Sequence, residues 1–62
     1  MPYVSIRLAG KITKDQKADM CKGVTKVICD VTGKPENTVL IFIDEVAHEN
    51  ISSGGKMQQK PK

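Results

Sequence analysis

The chain has 62 residues, a formal net charge of +3 and only two aromatic side chains, Tyr3 and Phe42. A chain of this length forms one domain, residues 1–62, with too small a core to hold by itself; such domains rely on disulfides, a metal or a partner subunit. The lysines are spread from Lys11 to Lys62 without stacking aromatics beside them, so nucleic acid is not an expected partner, and the balance suits a solvated surface that prefers small anions.

Pro2 to Leu8 alternates. Val4, Ile6 and Leu8 fall on one side and Tyr3, Ser5 and Arg7 on the other, the pattern of a half-buried strand. Ala9-Gly10-Lys11-Ile12 turns the chain. Thr13-Lys14-Asp15-Gln16 then reads as a capping box, with Thr13 capping the first turn and Gln16 reaching back. The helical period runs from there to Thr32. It places Met20, Val24, Val27, Ile28 and Val31 on an apolar stripe with Cys21 at its edge, and Asp15, Asp19, Lys22, Lys26 and Asp30 opposite. A strip of small residues, Ala18, Thr25 and Cys29, lies between and suits close contact with another element. Gly33 is placed to end the helix in a left-handed conformation, and Pro35 keeps it ended.

Val39-Leu40-Ile41-Phe42-Ile43 is a second strand, apolar on both faces and closed by Asp44-Glu45. Strand, long helix and strand make a β-α-β unit, so the strands should be parallel with a right-handed crossover. One helix covers one sheet face. Leu40 and Phe42 need another surface, which predicts an oligomer of sheets packed face to face or joined edge to edge. Ile51-Ser52-Ser53-Gly54-Gly55-Lys56 reads as a turn or small hairpin, and residues 57–62 as a frayed tail. The fold class is therefore α/β, a single β-α-β unit with a short C-terminal hairpin.

Cys21 and Cys29 are eight residues apart on the helix, about 12 Å along its axis. A disulfide needs α-carbons within roughly 7 Å, so no intrachain bridge is expected. Free thiols and the lack of a signal peptide point to the cytoplasm, and no apolar run approaches membrane-spanning length. The cysteines read as packing residues, not as reactive thiols. No metal site is expected either. His48 lies near Asp44 and Glu45 but has no second histidine at ligand spacing, and it reads as a surface residue. Neither Gly10-Lys11 nor Gly54-Gly55-Lys56 has the spacing of a phosphate loop.

The remaining chemistry sits at Pro2. A small residue in second position lets methionine aminopeptidase remove Met1, and the chain would then begin with a secondary amine whose ring fixes φ. Free α-amino groups titrate near ~7.7–8.0, so a modest downward shift makes such a nitrogen a general base at neutral pH. The plain alternative is a proline that only starts a strand.

Met-Pro, a short β-α-β unit, Ile41-Phe42-Ile43-Asp44-Glu45-Val46, and Glu49-Asn50 followed by Ser53-Gly54-Gly55-Lys56 together resemble the 4-oxalocrotonate tautomerase family over essentially the whole chain. The resemblance implies a cofactor-independent isomerase in which Pro2 moves a proton along a small unsaturated 2-hydroxy or 2-oxo acid. It also implies a homo-hexamer, a trimer of dimers, with the hairpin packed on neighbours. The family's two arginines and its aromatic before the glycines are replaced here by Ile12, Leu40 and Ile51. Leu40 and Ile51 then line the substrate, and Lys11, Arg7 or both are the nearby cations for its carboxylate, without the bidentate fork in the case of lysine; the plain alternatives are a subunit salt bridge for Arg7 and an exposed turn lysine for Lys11. Two alternatives remain: a hydratase or dehalogenase of the same family, and a non-catalytic oligomeric binding protein that kept the fold.

Overall fold

The computed structural model describes residues 1–59. Its elements in chain order are β1 (Tyr3–Ala9), α1 (Lys14–Thr32), a 3₁₀ turn (Glu36–Thr38), β2 (Leu40–Val46), a second 3₁₀ turn (His48–Asn50), and the strands β3 (Ser52–Ser53) and β4 (Lys56–Met57). β1 and β2 pair in parallel from Tyr3↔Leu40 to Ala9↔Val46, as a β-α-β crossover requires. β3 and β4 pair antiparallel across Gly54 and Gly55, whose φ values of 59° and 85° suit the primed turn that a two-residue hairpin needs.

The helix forms where its caps lie. Thr13 Oγ1 accepts from the Gln16 N–H at 3.1 Å, and Gln16 Oε1 accepts from the Thr13 N–H at 2.9 Å, so the box is closed. At the other end Gly33 adopts φ 74° and donates its N–H to the Cys29 carbonyl at 2.9 Å.

Four expectations need correction. The apolar stripe is rotated: Cys21, Thr25 and Cys29 are half-buried with Met20, Val24 and Ile28, whereas Val27 is 61% exposed and Val31 81% exposed. Two strands make a narrow sheet that reaches only part of the helix circumference, and small side chains let the helix settle on it. Ala18, grouped with Thr25 and Cys29 by the sequence, is exposed. Asp44 and Glu45 do not close β2 but continue it to Val46, one facing away from the helix and the other toward it. The tail assigned to residues 57–62 starts too early, because Met57 pairs with Ser52 and the Gln58 N–H reaches the Ile51 carbonyl at 2.7 Å. Residues 60–62 of that tail lie outside the described residues.

The subunit is a slab. Its extents are 42 × 25 × 14 Å and its radius of gyration is 14.6 Å, against roughly 11 Å for a compact chain of this length. No described residue is fully buried. Val4, Ile6, Leu8, Ile41 and Ile43 meet the helix and are half-covered, while Tyr3, Leu40 and Phe42 lie on the uncovered sheet face. There Tyr3 and Phe42 meet edge to face with ring centroids 6.1 Å apart, which orders the patch without covering it.

Candidate active site

Pro2 stands at the head of β1. Its carbonyl accepts the Leu40 N–H at 3.0 Å, so the parallel ladder extends one bond beyond the strand and ties the ring to β2. Pro2 is half-buried, whereas Met1 before it is 74% exposed and open to removal. By the alternation of β1, Pro2 shares the parity of Val4 and Ile6, and Leu40 lies on the opposite, open face beside Tyr3.

Arg7 also lies on the open face, paired in register with Asp44. Its Nη2 and Nε both approach Asp44 Oδ2, at 3.2 Å and 3.3 Å. The pair is solvent-exposed and adds little stability, yet it engages the cation that the sequence offered to a substrate.

Lys11 and Ile51 lie at the other end of the subunit. β1 separates Pro2 from Gly10 by roughly 26 Å at 3.3 Å per residue. At this far end the Gly10–Ile12 loop is held at three points. The Gly10 N–H donates to the Val46 carbonyl at 2.8 Å. The Ile12 N–H donates to Glu45 Oε2 at 2.9 Å, and Lys17 Nζ approaches Glu45 Oε1 at 2.7 Å. The third hold is His48, whose imidazole lies over Gly10 so closely that a Cβ there would meet His48 Cε1 at 2.9 Å. Gly10 has φ 91°, so its backbone favours glycine as well. The Lys17 ammonium, and after it the Ile12 N–H, hold the Glu45 carboxyl below the ordinary carboxylate range.

Between this loop and the His48–Asn50 turn lies a groove of about 570 Å³, lined by Gly10, Lys11, Ala47, His48, Glu49 and Gln58. Ile51 adjoins it, donating its N–H to the His48 carbonyl at 3.1 Å and accepting from Gln58. One subunit thus joins Pro2 to Leu40 by backbone and joins Lys11 to the Ile51 turn, but keeps the two groups apart. The sequence reading missed His48, because nothing local places its ring on a glycine in another loop. It missed Glu45 as the loop's anchor for the same reason. Among the described residues, no three His, Cys, Asp or Glu side chains gather in a way that could hold a metal, and no helix is long and apolar enough to cross a membrane.

A proline at the head of a parallel β-α-β ladder, with a C-terminal glycine hairpin, defines a small class of α/β subunits. The family described as "Tautomerase enzyme" matches residues 2–60, and the chain belongs to that tautomerase family. A 2-hydroxymuconate tautomerase of Bacillus subtilis is 30% identical over 56 residues, covering 90% of this chain and 90% of the relative. A solved homologue of 4-oxalocrotonate tautomerase superposes with a TM-score of 0.84 at 28% identity, covering 90% of this chain and 92% of the other. A structure from work on trans-3-chloroacrylic acid dehalogenase activity gives 0.82 at 28% identity, covering 94% of this chain and 100% of the other. Membership supports an isomerase of the tautomerase type.

Proposed function

We propose that this chain is a cofactor-independent keto–enol tautomerase acting on a small unsaturated 2-hydroxy or 2-oxo acid. The Pro2 nitrogen, freed by removal of Met1, is its general base. The observation that carries this reading is the bond from the Leu40 N–H to the Pro2 carbonyl at 3.0 Å, in a chain that matches the tautomerase family from residue 2 onward. That bond and the pyrrolidine ring, which closes the side chain back onto the nitrogen, hold the nitrogen still without using it. The uncharged amine takes the proton of the 2-hydroxyl, the O–H electron pair becomes the carbonyl π bond, and the displaced π electrons take the proton back from the prolinium at carbon. Acid and base are the same atom, so a pKa near ambient pH serves both steps.

The site is completed between copies. Pro2 and Lys11 sit at opposite ends of β1, and the uncovered Tyr3, Leu40 and Phe42 give each subunit a reason to pack its sheet on another. A homo-oligomer in which the strand head of one copy meets the Gly10–Ile12 loop of another supplies both groups, and a hexamer is the size implied by the resemblance to the 4-oxalocrotonate tautomerase family. The likeness to the chloroacrylic acid dehalogenase structure favours a second reading in which Pro2 works as an acid and water is added.

Incubation with an electrophilic alkynoic acid, followed by peptide mass mapping, tests the base. Labelling at Pro2 in step with loss of phenylenolpyruvate turnover is expected. Inactivation with the label elsewhere and Pro2 unmodified would overturn it. Halide release from 3-chloroacrylate without any enol turnover would favour the second reading.

A further inference from the structure

We propose that Lys11, His48 and Glu49 make the groove selective for charge, so that it takes 2-oxo and 2-hydroxy acids with a single carboxylate and rejects dicarboxylates. The inference rests on the tautomerase reading above and goes beyond it by naming the substrate's charge and the residues that set it.

Three cations lie near the end of β1, and two are engaged. Arg7 is held by Asp44 and Lys17 by Glu45. Lys11 makes no salt bridge among the described residues, although its charge also favours the Glu45 carboxylate, and it stands between two backbone positions, Gly10 and Ile12, that are each fixed by a hydrogen bond. It lines the groove from that clamped loop. A lysine offers a compact point charge and not a fork, which suits one carboxylate.

His48 forms part of the wall beside it. The ring is half-buried and presses on Gly10, with Nδ1 and Nε2 at 3.7 Å and 3.9 Å from the position a Cβ would take there. A side chain at residue 10 would push the ring away, so the bare glycine keeps an imidazole in the wall, where its ring N–H can donate to the oxygen at C2. Glu49 is exposed and lines the same groove. It carries the negative charge that a second carboxylate on the ligand would meet. Ala47 adds an uncharged stretch of wall for the rest of the molecule.

The test measures binding and turnover separately. The probes for binding are 2-oxobutanoate and 2-oxoglutarate, titrated into the assembled protein while the His48 ring signals are followed by NMR. Wild type should bind the monoanion more tightly, with His48 shifted, and Glu49→Gln should improve dianion binding relative to monoanion about fivefold, the order expected of one exposed charge pair at the dielectric of water. His48→Gln should weaken monoanion binding, and Lys11→Gln should weaken both. The ratio of kcat/KM for phenylenolpyruvate to that for 2-hydroxymuconate should follow the same order. Equal or tighter binding of the dianion by wild type, or an unchanged ratio in a folded Glu49→Gln protein, would overturn the proposal. Binding of the saturated acids needs no proton transfer by Pro2. Loss of the Pro2 mechanism with charge selection intact would therefore count against the catalytic reading and not against the groove.

Discussion

Gly10→Ala perturbs the fold and the groove at one atom. Gly10 has φ 91°, and placing an L side chain in left-handed territory costs about 1–2 kcal/mol. The new Cβ would lie 2.9 Å from His48 Cε1, where carbon atoms prefer roughly 3.5–4.0 Å, so the imidazole must withdraw by a small rotamer adjustment. The ring is the movable partner and swings at low cost, so most of the energy is backbone strain. For a domain of this size each kcal/mol lowers Tm by about 4–8 °C, which predicts a fall of roughly 4–16 °C. Assembly makes Tm depend on concentration, so the proteins are compared at equal concentration. Gly23 supplies a control of opposite sign. It lies inside α1 with a negative φ, and an added methyl group there would meet nothing within 4 Å, so Gly23→Ala should stabilise by about 0.5–1 kcal/mol. The assays are thermal unfolding and NMR of the His48 ring. An unchanged Tm in Gly10→Ala with unmoved ring signals would refute the account of this loop.

Thr13→Ala removes the hydroxyl that accepts the Gln16 N–H and should cost about 1 kcal/mol, read from denaturant unfolding; no loss would mean that water replaces the cap freely. Phe42→Glu puts a carboxylate on the uncovered sheet face and should dissociate or unfold the oligomer, because a carboxylate buried without a partner is strongly disfavoured; native mass spectrometry showing an unchanged assembly would place Phe42 outside the interface. Glu45 titrates below the ordinary carboxylate range when folded, so on acidification the unfolded chain takes up its proton first. The clamp's contribution is full above the unfolded pKa of ~4.3 and is lost as pH falls through the lower folded value. The Tm gap between wild type and Glu45→Gln should therefore hold steady above about pH 5 and narrow as pH falls below ~4.3, and a gap that stays constant on acidification would show that the carboxylate's charge does not hold the loop.

The strands and the helix were legible because their signals are local. Val4, Ile6 and Leu8 alternate, Thr13 and Gln16 sit three apart, and Gly33 follows the last helical turn. The course of Asp44 and Glu45 was not legible. Charged residues after an apolar run look like the end of a strand, whereas each continues β2 toward a partner far away in sequence, Arg7 at 37 residues and the Ile12 N–H at 33. The helix stripe was misjudged at Val27 and Val31 because periodicity gives the apolar arc but not the width of the sheet that meets it. Of the site, Pro2 and Lys11 could be named from the sequence, and their separation follows from the length of β1 alone. What the pairing adds is the company each keeps, Leu40 at the head of β1 and Val46 with the turn after it at the foot. His48 became visible only when its ring was seen resting on Gly10.

The central claim is that the Pro2 nitrogen must be a free amine. Two synthetic chains test it, one beginning at Met1 and one at Pro2, with intact mass verified, assembly compared by native mass spectrometry and turnover of phenylenolpyruvate followed by absorbance. In the first chain that nitrogen is an amide and cannot accept a proton. The account predicts that both chains assemble alike and that only the chain beginning at Pro2 turns the enol over; full turnover by the chain that keeps Met1 would contradict it.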